Sequence, residues 1–447
     1  MKDLSVGTES RIIFQFALPM LIGNVFQQIY TLINSIIVGN FVGKEALAAV
    51  GASFPLIFTL ISLVIGIAIG ATIVIAQYFG AKDMKKVVRA IDTLMVFTLV
   101  ASVVVTIVGI LLSKPIFKLI DLPEEVLPMA VTYFNIYMLG SVFAFGFNSF
   151  SAILRGMGDS KTPLYFLVIA TVLNIGLDFL FVLGFKWGVA GVAWATVISQ
   201  AVALLFAIIY LNRTHDLFKI TWRKPEYDRE IMKKSLRIGF PVGFQQAFVA
   251  LSMLAMYWLV NRFGTNVTAA FSVAFRIDSF ASMPAMNFAM ALAAFVGQNL
   301  GANKPERVKK GLWATFYMTS IFSVAISIIM IFFAGPVMWL FTSDPDVIAV
   351  GKDYLQIVTG FYIVFSSMFV VGGVMRGAGD TFVPMLITFF ALWVVRIPVG
   401  YFMSTKLGYH GIWWSIPIAW AVGLSLSYLY YSTGRWKRKV VVRPGNI

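Results

Sequence analysis

Asp178 is the residue whose type and surroundings point most directly to chemistry. It sits in the apolar run LNIGLDFLFVLG, where little water is available to solvate a carboxylate. Placing such a group near a helix centre in a membrane costs about 2.5–3.5 kcal/mol. It persists there when it is protonated, paired or bound to a cation. Asn174 lies four residues earlier, on the same helical face. Thr196 lies in the next apolar run. These oxygens suit a proton acceptor with hydrogen-bonding neighbours. They suit equally a sodium ion held by Asp178, Asn174 and Thr196, because hard cations take oxygen ligands. The plainer alternative is a hydrogen-bond cluster that ties two helices together.

Other polar residues in apolar runs are cavity candidates. Gln27 and Asn34 are seven residues apart and share a face, and Asn148 lies in a later run. The second half of the chain offers Gln245, Gln246, Arg276, Asp278 and Arg396. Asp278 reads as a second acid of a cavity or as half of a buried ion pair with Arg276 or Arg396, and the ion pair is the favoured reading. Met256, Tyr257 and Met286 belong to a stretch rich in thioethers and aromatics, which suits apolar cations of varied shape. Helix packing is the alternative for each of them. Pro19 and Pro241 fall inside apolar runs, where a proline removes a backbone hydrogen bond and permits a kink.

Several chemistries are excluded. The chain has no cysteine, so disulfides, thiolate metal sites and thiol nucleophiles are ruled out. The two histidines, His215 and His410, are far apart, which argues against a histidine metal site. No Walker A, HExxH or GxSxG pattern occurs. The GxGD strings in RGMGD and RGAGD end apolar runs and read as turns. The chain is therefore expected not to be an enzyme, and no cofactor is expected beyond a coupling ion.

The elements that must position these residues follow from composition. Of 447 residues, 59% are hydrophobic and 12% charged, against about 45–50% and about 25% in a soluble protein. Mean hydropathy is +0.86. Twelve apolar runs are long enough to cross a bilayer as helices, at roughly 12–39, 46–76, 88–113, 127–152, 162–185, 188–211, 237–262, 268–297, 308–334, 347–373, 382–405 and 409–432. The fold class is an all-α polytopic membrane protein. Of the 35 lysines and arginines, 26 fall in the termini and the loops after even-numbered spans, against 7 in the loops after odd-numbered spans. The positive-inside rule then places both termini in the cytoplasm, with the chain in the cytoplasmic (inner) membrane. The net charge of +15 is thus a property of one membrane face, and no nucleic-acid partner is expected. The basic tail Arg435–Lys439 is expected to meet anionic lipid.

The chain is an internal duplication. At an offset of 221, Gln77, Gly80, Pro115, Tyr133, Arg155, Gly156, Asp159 and Pro163 match Gln298, Gly301, Pro336, Tyr354, Arg376, Gly377, Asp380 and Pro384. Pro19 matches Pro241 at an offset of 222. Each half holds six spans, an even number, so both halves enter the membrane from the same side. Two six-helix lobes in a parallel repeat, related by a pseudo-twofold along the membrane normal, are expected. Their limits read as 1–211 and 237–447, joined by a charged linker at 212–236.

Among twelve-span plans, the loop QYFGAKDMKKVVRA does not fit the major facilitator signature. The segments FALPMLIGNVFQQIYTLINSIIVGNFVGKEALAAVG, AQYFGA with GQNLGA, and LRGMGDSKTP with MRGAGDTFVP resemble instead the multidrug and toxic compound extrusion (MATE) family. The resemblance covers essentially the whole chain. LNIGLDFLFVLGFKWGVAGVAWAT is most similar to the DinF-type branch. The resemblance implies a secondary antiporter that exports amphipathic, often cationic small molecules in exchange for H+ or Na+, working as a monomer among membrane lipids. It implies that Asn34 stands where DinF-type relatives carry an aspartate of the cation site. Asn34 cannot take up a proton, which leaves Asp178 as the deep carboxyl of the first lobe. It also implies that Pro19 is a bending point of span 1. The acids that the NorM-type branch keeps in spans 7 and 10 are absent here. The alternative reading is a lipid-linked oligosaccharide flippase of the same wider superfamily, whose cationic cavity would draw on Arg276 and Arg396.

Overall fold

The structure is a computed structural model that describes residues 2–214 and 226–442. Residues 215–225 of the expected linker, His215 among them, lie outside the described residues. Fifteen α-helices occur among the described residues: α1 (Glu9–Ile37), α2 (Lys44–Gly80), α3 (Met84–Leu119), α4 (Leu127–Leu139), α5 (Ser141–Gly156), α6 (Lys161–Phe179), α7 (Gly188–Thr214), α8 (Arg229–Asn261), α9 (Thr265–Gly301), α10 (Pro305–Trp339), α11 (Pro345–Thr359), α12 (Tyr362–Gly377), α13 (Phe382–Phe389), α14 (Ile397–Leu407) and α15 (Tyr409–Ser432). Ten helical segments are long and apolar enough to cross a membrane, and two bent pairs bring the total to twelve.

The bent pairs refine the sequence reading, which took the fourth and tenth spans as continuous. Each is two helices meeting at 49°, α4 with α5 and α11 with α12. The breaks fall at Gly140 and Gly360, one repeat apart. At Gly140 a Cβ would collide with the Val197 side chain, so only glycine admits the close approach of α7. Further departures from α geometry are π-helical turns at Val38–Val42, Leu180–Gly184 and Phe390–Arg396. The last two extend α6 and join α13 to α14. Wider turns of this kind recur at functional sites.

Hydroxyl side chains on the spans mostly bond back to their own helix. Ser53 donates to the Ala49 carbonyl at 2.7 Å, Thr98 to Leu94 at 2.7 Å and Thr315 to Gly311 at 2.8 Å. This disposes of a polar group where no water competes.

The chain forms two compact units. Unit 1 holds Met1–Lys2 and Ile22–Gly243, and unit 2 holds Asp3–Leu21 and Phe244–Ile447. The borders thus lie within α1 and within α8, one repeat apart, and not at the ends of the linker 212–236. Packing explains both. In unit 1 the first part of α8 crosses α2 through Gly66, Gly70, Gly239 and Gly243, two GxxxG pairs in backbone contact. A Cβ at Gly239 would stand 2.5 Å from the Ile67 Cα, and one at Gly66 would stand 2.6 Å from the Gly243 nitrogen.

In unit 2 the segment ahead of α1 lies across the ends of α9 and α10. The Leu4 amide donates to Gln298 Oε1 at 2.8 Å, and Asn299 Nδ2 donates to the Leu4 carbonyl at 3.2 Å. Lys304 Nζ donates to the Ser5 carbonyl at 3.0 Å, and Arg307 donates to the Gly7 carbonyl at 2.7 Å. Arg307 also pairs with Glu9 at 3.1 Å. The Leu4 side chain is buried in a core with Ile13, Phe288, Phe295 and Trp436.

Gly239→Ala is expected to destabilise the protein by about 1–3 kcal/mol, because backbone has to move to admit the methyl group. Gly51, whose Cβ would meet nothing within 4 Å, should accept alanine without loss. Thermal unfolding of both purified variants in detergent checks the contrast.

Candidate functional site

Unit 1 gathers most of the expected ion-site residues. α6 carries Asn174 and Asp178 one turn apart, at 1% and 0% exposure. Thr196 on α7 is also buried. α1 contributes Asn34 and a residue the sequence reading missed, Tyr30, one turn earlier. Tyr30 Oη lies 3.2 Å from Thr196 Oγ1. Asn34 Nδ2 donates to Tyr30 Oη at 3.3 Å, and Asn174 Nδ2 donates to Thr196 Oγ1 at 3.4 Å. Thr196 gives its one proton to the Val192 carbonyl at 3.1 Å. Tyr30 is therefore the donor to Thr196.

The consequence is a count of donors and acceptors. The hydroxyls of Tyr30 and Thr196 and one N–H each of Asn34 and Asn174 are engaged by one another or by backbone. Asn34 Oδ1, Asn174 Oδ1 and both oxygens of Asp178 remain buried with no donor. Asp178 lies within electrostatic range of Tyr30 and of the buried Tyr133 on α4. Each of these four acceptor oxygens lacks a donor, and an unmatched buried acceptor carries its full desolvation cost. The signal for Tyr133 lay in the repeat, where it matches Tyr354. The signal for Tyr30 was its spacing of four from Asn34.

The remaining candidates of the first half lie outside this cluster. Gln27 is exposed, and its carbonyl accepts from Thr31 at 2.9 Å. Asn148 is exposed and donates to the Ala144 carbonyl at 2.9 Å. Pro19 is buried, and α1 runs through it as one helix.

In unit 2, Asp278 is partly buried and accepts a hydrogen bond from the Tyr362 hydroxyl. The expected ion pair is not formed. Arg276 is exposed, and a spacing of two on α9 turns it away from Asp278. Arg396 is 7% exposed at the end of the π-helical turn. It lies within electrostatic range of Asp278 but is in no ion-pair contact among the described residues. Gln245 Nε2 donates to Thr388 Oγ1 at 2.6 Å, and Gln246 is partly buried. Met256 does not line an open cavity: it is fully buried in a core with Leu259, Phe271 and Trp413. Tyr257 donates to Ser272 Oγ at 3.3 Å and packs edge-on against Phe271. Met286 is 39% exposed.

Comparison with known proteins is consistent along the whole chain. The MatE family model matches twice, at residues 19–180 and 241–402. These two matches bear out the internal duplication. The probable multidrug resistance protein YoeA of Bacillus subtilis is 34% identical over 437 residues, covering 96% of this chain and 94% of YoeA. An outward-facing multidrug resistance MATE family transporter of the MOP superfamily superposes with a TM-score of 0.91 at 26% identity, covering 98% of this chain and 99% of that one. A MATE crystallised in the bent conformation superposes with a TM-score of 0.91 at 26% identity, covering 98% of this chain and 97% of that one.

Tyr30→Phe keeps the ring and removes the hydroxyl that links Asn34 to Thr196. It is expected to cost about 1–2 kcal/mol in unfolding. Gln27→Ala, three residues away and exposed, should leave the unfolding temperature unchanged.

Proposed function

The chain belongs to the MatE family, and on that premise we propose that it is a secondary active antiporter. It exports amphipathic, often cationic small molecules and takes up H+ or Na+ in exchange. The observation that carries the coupling part of this reading is the group of four donorless acceptor oxygens around Asp178, Asn174 and Asn34. The part concerning exported compounds rests on relatives described as multidrug resistance proteins.

Asp178 is the charge carrier in this scheme. A proton on one carboxyl oxygen turns it into a donor, and Asn174 Oδ1 or Asn34 Oδ1 is then available to accept. With sodium, the same oxygens serve as ligands, and Asp178 supplies the charge. Asn34 serves as hydrogen-bond partner or neutral ligand in both versions, so a single acid suffices. Ion uptake drives the cycle only if the two access states hold the ion differently. Tyr30 and Asn34 make α1 part of the ion site, and Pro19 lies farther along the same helix. A bend there would alter the grip of α1 on the ion. The transporter works as a monomer in the cytoplasmic membrane, with the basic loops and both termini inside.

Asp178→Asn is expected to abolish gradient-driven efflux from proteoliposomes while the protein still folds, because the amide preserves shape and removes the charge. Wild-type exchange rates in that variant would refute the assignment. Imposing a pH gradient and a sodium gradient separately identifies the ion. A transporter indifferent to both gradients would not be an ion-coupled antiporter.

A further inference from the structure

We propose that unit 2 holds a binding site for a compact monovalent anion, chloride or a carboxylate group, centred on Arg396. The site is separate from the cation-coupling residues of unit 1. Its starting point is a guanidinium that is more than nine-tenths buried and whose Nε–H has no acceptor. An arginine keeps its charge in a protein, so the cost of burying it must be offset by surrounding groups. Asp278 is the acid within electrostatic range, but it forms no ion pair with Arg396 among the described residues. The Tyr362 hydroxyl engages the carboxylate instead. Asp278 therefore balances charge from a distance without supplying the Nε–H with a partner.

The neighbourhood adds a second unmatched donor. Tyr354 lies within electrostatic range of Arg396 and packs edge-on against Trp413, with ring centroids 5.0 Å apart. Trp413 is fully buried, and its indole Nε1–H has no acceptor either. The Arg396 Nε–H is the cationic donor that calls for an acceptor, and the Trp413 indole N–H is a second unmatched donor on the other side of Tyr354's contacts. A small anion accepts several such bonds and brings the missing charge, whereas water brings only the bonds. The fold holds this region firmly. A Cβ at Gly400, one turn beyond Arg396, would stand 3.1 Å from Ser415 Oγ on α15, the helix that carries Trp413. The polarity is the reverse of unit 1, where the unmatched polar atoms of the site are all acceptors.

The test is equilibrium binding of radiolabelled chloride to the purified full-length protein, with unlabelled chloride and acetate as competitors. Saturable binding is expected. Arg396→Gln should weaken it by about tenfold or more. Arg396→Lys keeps the charge and removes the planar Nε–H, so it should fold and bind more weakly than wild type. Asp278→Asn should bind several-fold more tightly, because it removes the negative charge nearest the anion. A merely structural role for the cluster would not produce that gain. Arg276→Gln, which removes an exposed cation two residues from Asp278, should change nothing. Displacement by acetate at lower concentration than by chloride assigns the site to carboxylates, and the opposite order assigns it to halides. Absence of saturable binding, or binding indifferent to Arg396→Lys and Asp278→Asn, would overturn the proposal. The assay involves no transport, so its failure would leave the antiporter reading untouched.

Discussion

Hydrocarbon offers no hydrogen bonds, and this constraint governs the structure at every level. It requires each backbone amide of a span to find its partner within the helix, so the described spans are helical throughout. It turns most serine and threonine hydroxyls back onto their own carbonyls. It also restricts irregular backbone to places where the protein itself covers the break, such as the α4–α5 junction packed on Val197. Against such complete satisfaction, the few polar atoms left unmatched carry information. In a soluble protein a surface asparagine oxygen without a partner means nothing. Here Asp178, Asn174 and Asn34 hold four such oxygens, with Asn174 and Asn34 joined through Tyr30 and Thr196.

Duplication supplied the scaffold twice, and the two copies have specialised in opposite directions. The breaks at Gly140 and Gly360 correspond, as do the buried tyrosines Tyr133 and Tyr354. A π-helical turn follows α6 in the first copy and α13 in the second. What differs is the polarity of the side chains placed beside these shared features. The first copy presents carboxylate and amide oxygens. The second presents a guanidinium and an indole N–H, with Asp278 already engaged by Tyr362. Equivalent backbone thus carries buried unmatched acceptors in one copy and buried unmatched N–H donors in the other.

The parts legible in the sequence were those that rest on one-dimensional pattern. Apolar run length located the spans, and the long-range matches located the repeat. A carboxylate in an apolar run marked Asp178, and a spacing of four added Asn174. In the structure Asn174 donates to Thr196. Features that depend on which helix meets which were hidden. Tyr30 resembles any aromatic in a span until its hydroxyl is seen against Thr196. Met256 resembles a cavity residue until Phe271 and Trp413 are found around it. The Asp278 ion pair failed because net charge in a run says nothing about the direction in which each side chain leaves its helix. The unit borders within α1 and α8 leave no mark in composition, because linker composition marks only where the chain is polar. The glycine crossing of α2 and α8, not the linker, decides where packing changes hands.

The segment ahead of α1 has a bearing on how the protein is made. Leu4, Ser5, Gly7 and Glu9 leave the ribosome long before the residues that hold them. Their partners are Gln298, Asn299, Lys304 and Arg307, nearly three hundred residues later. This segment must therefore wait, unseated, while the nearly three hundred residues between them are made. Only then do α9 and the start of α10 exist to receive it. The seat of this segment is complete only after Arg307 has been made, so unit 2 cannot lock until then.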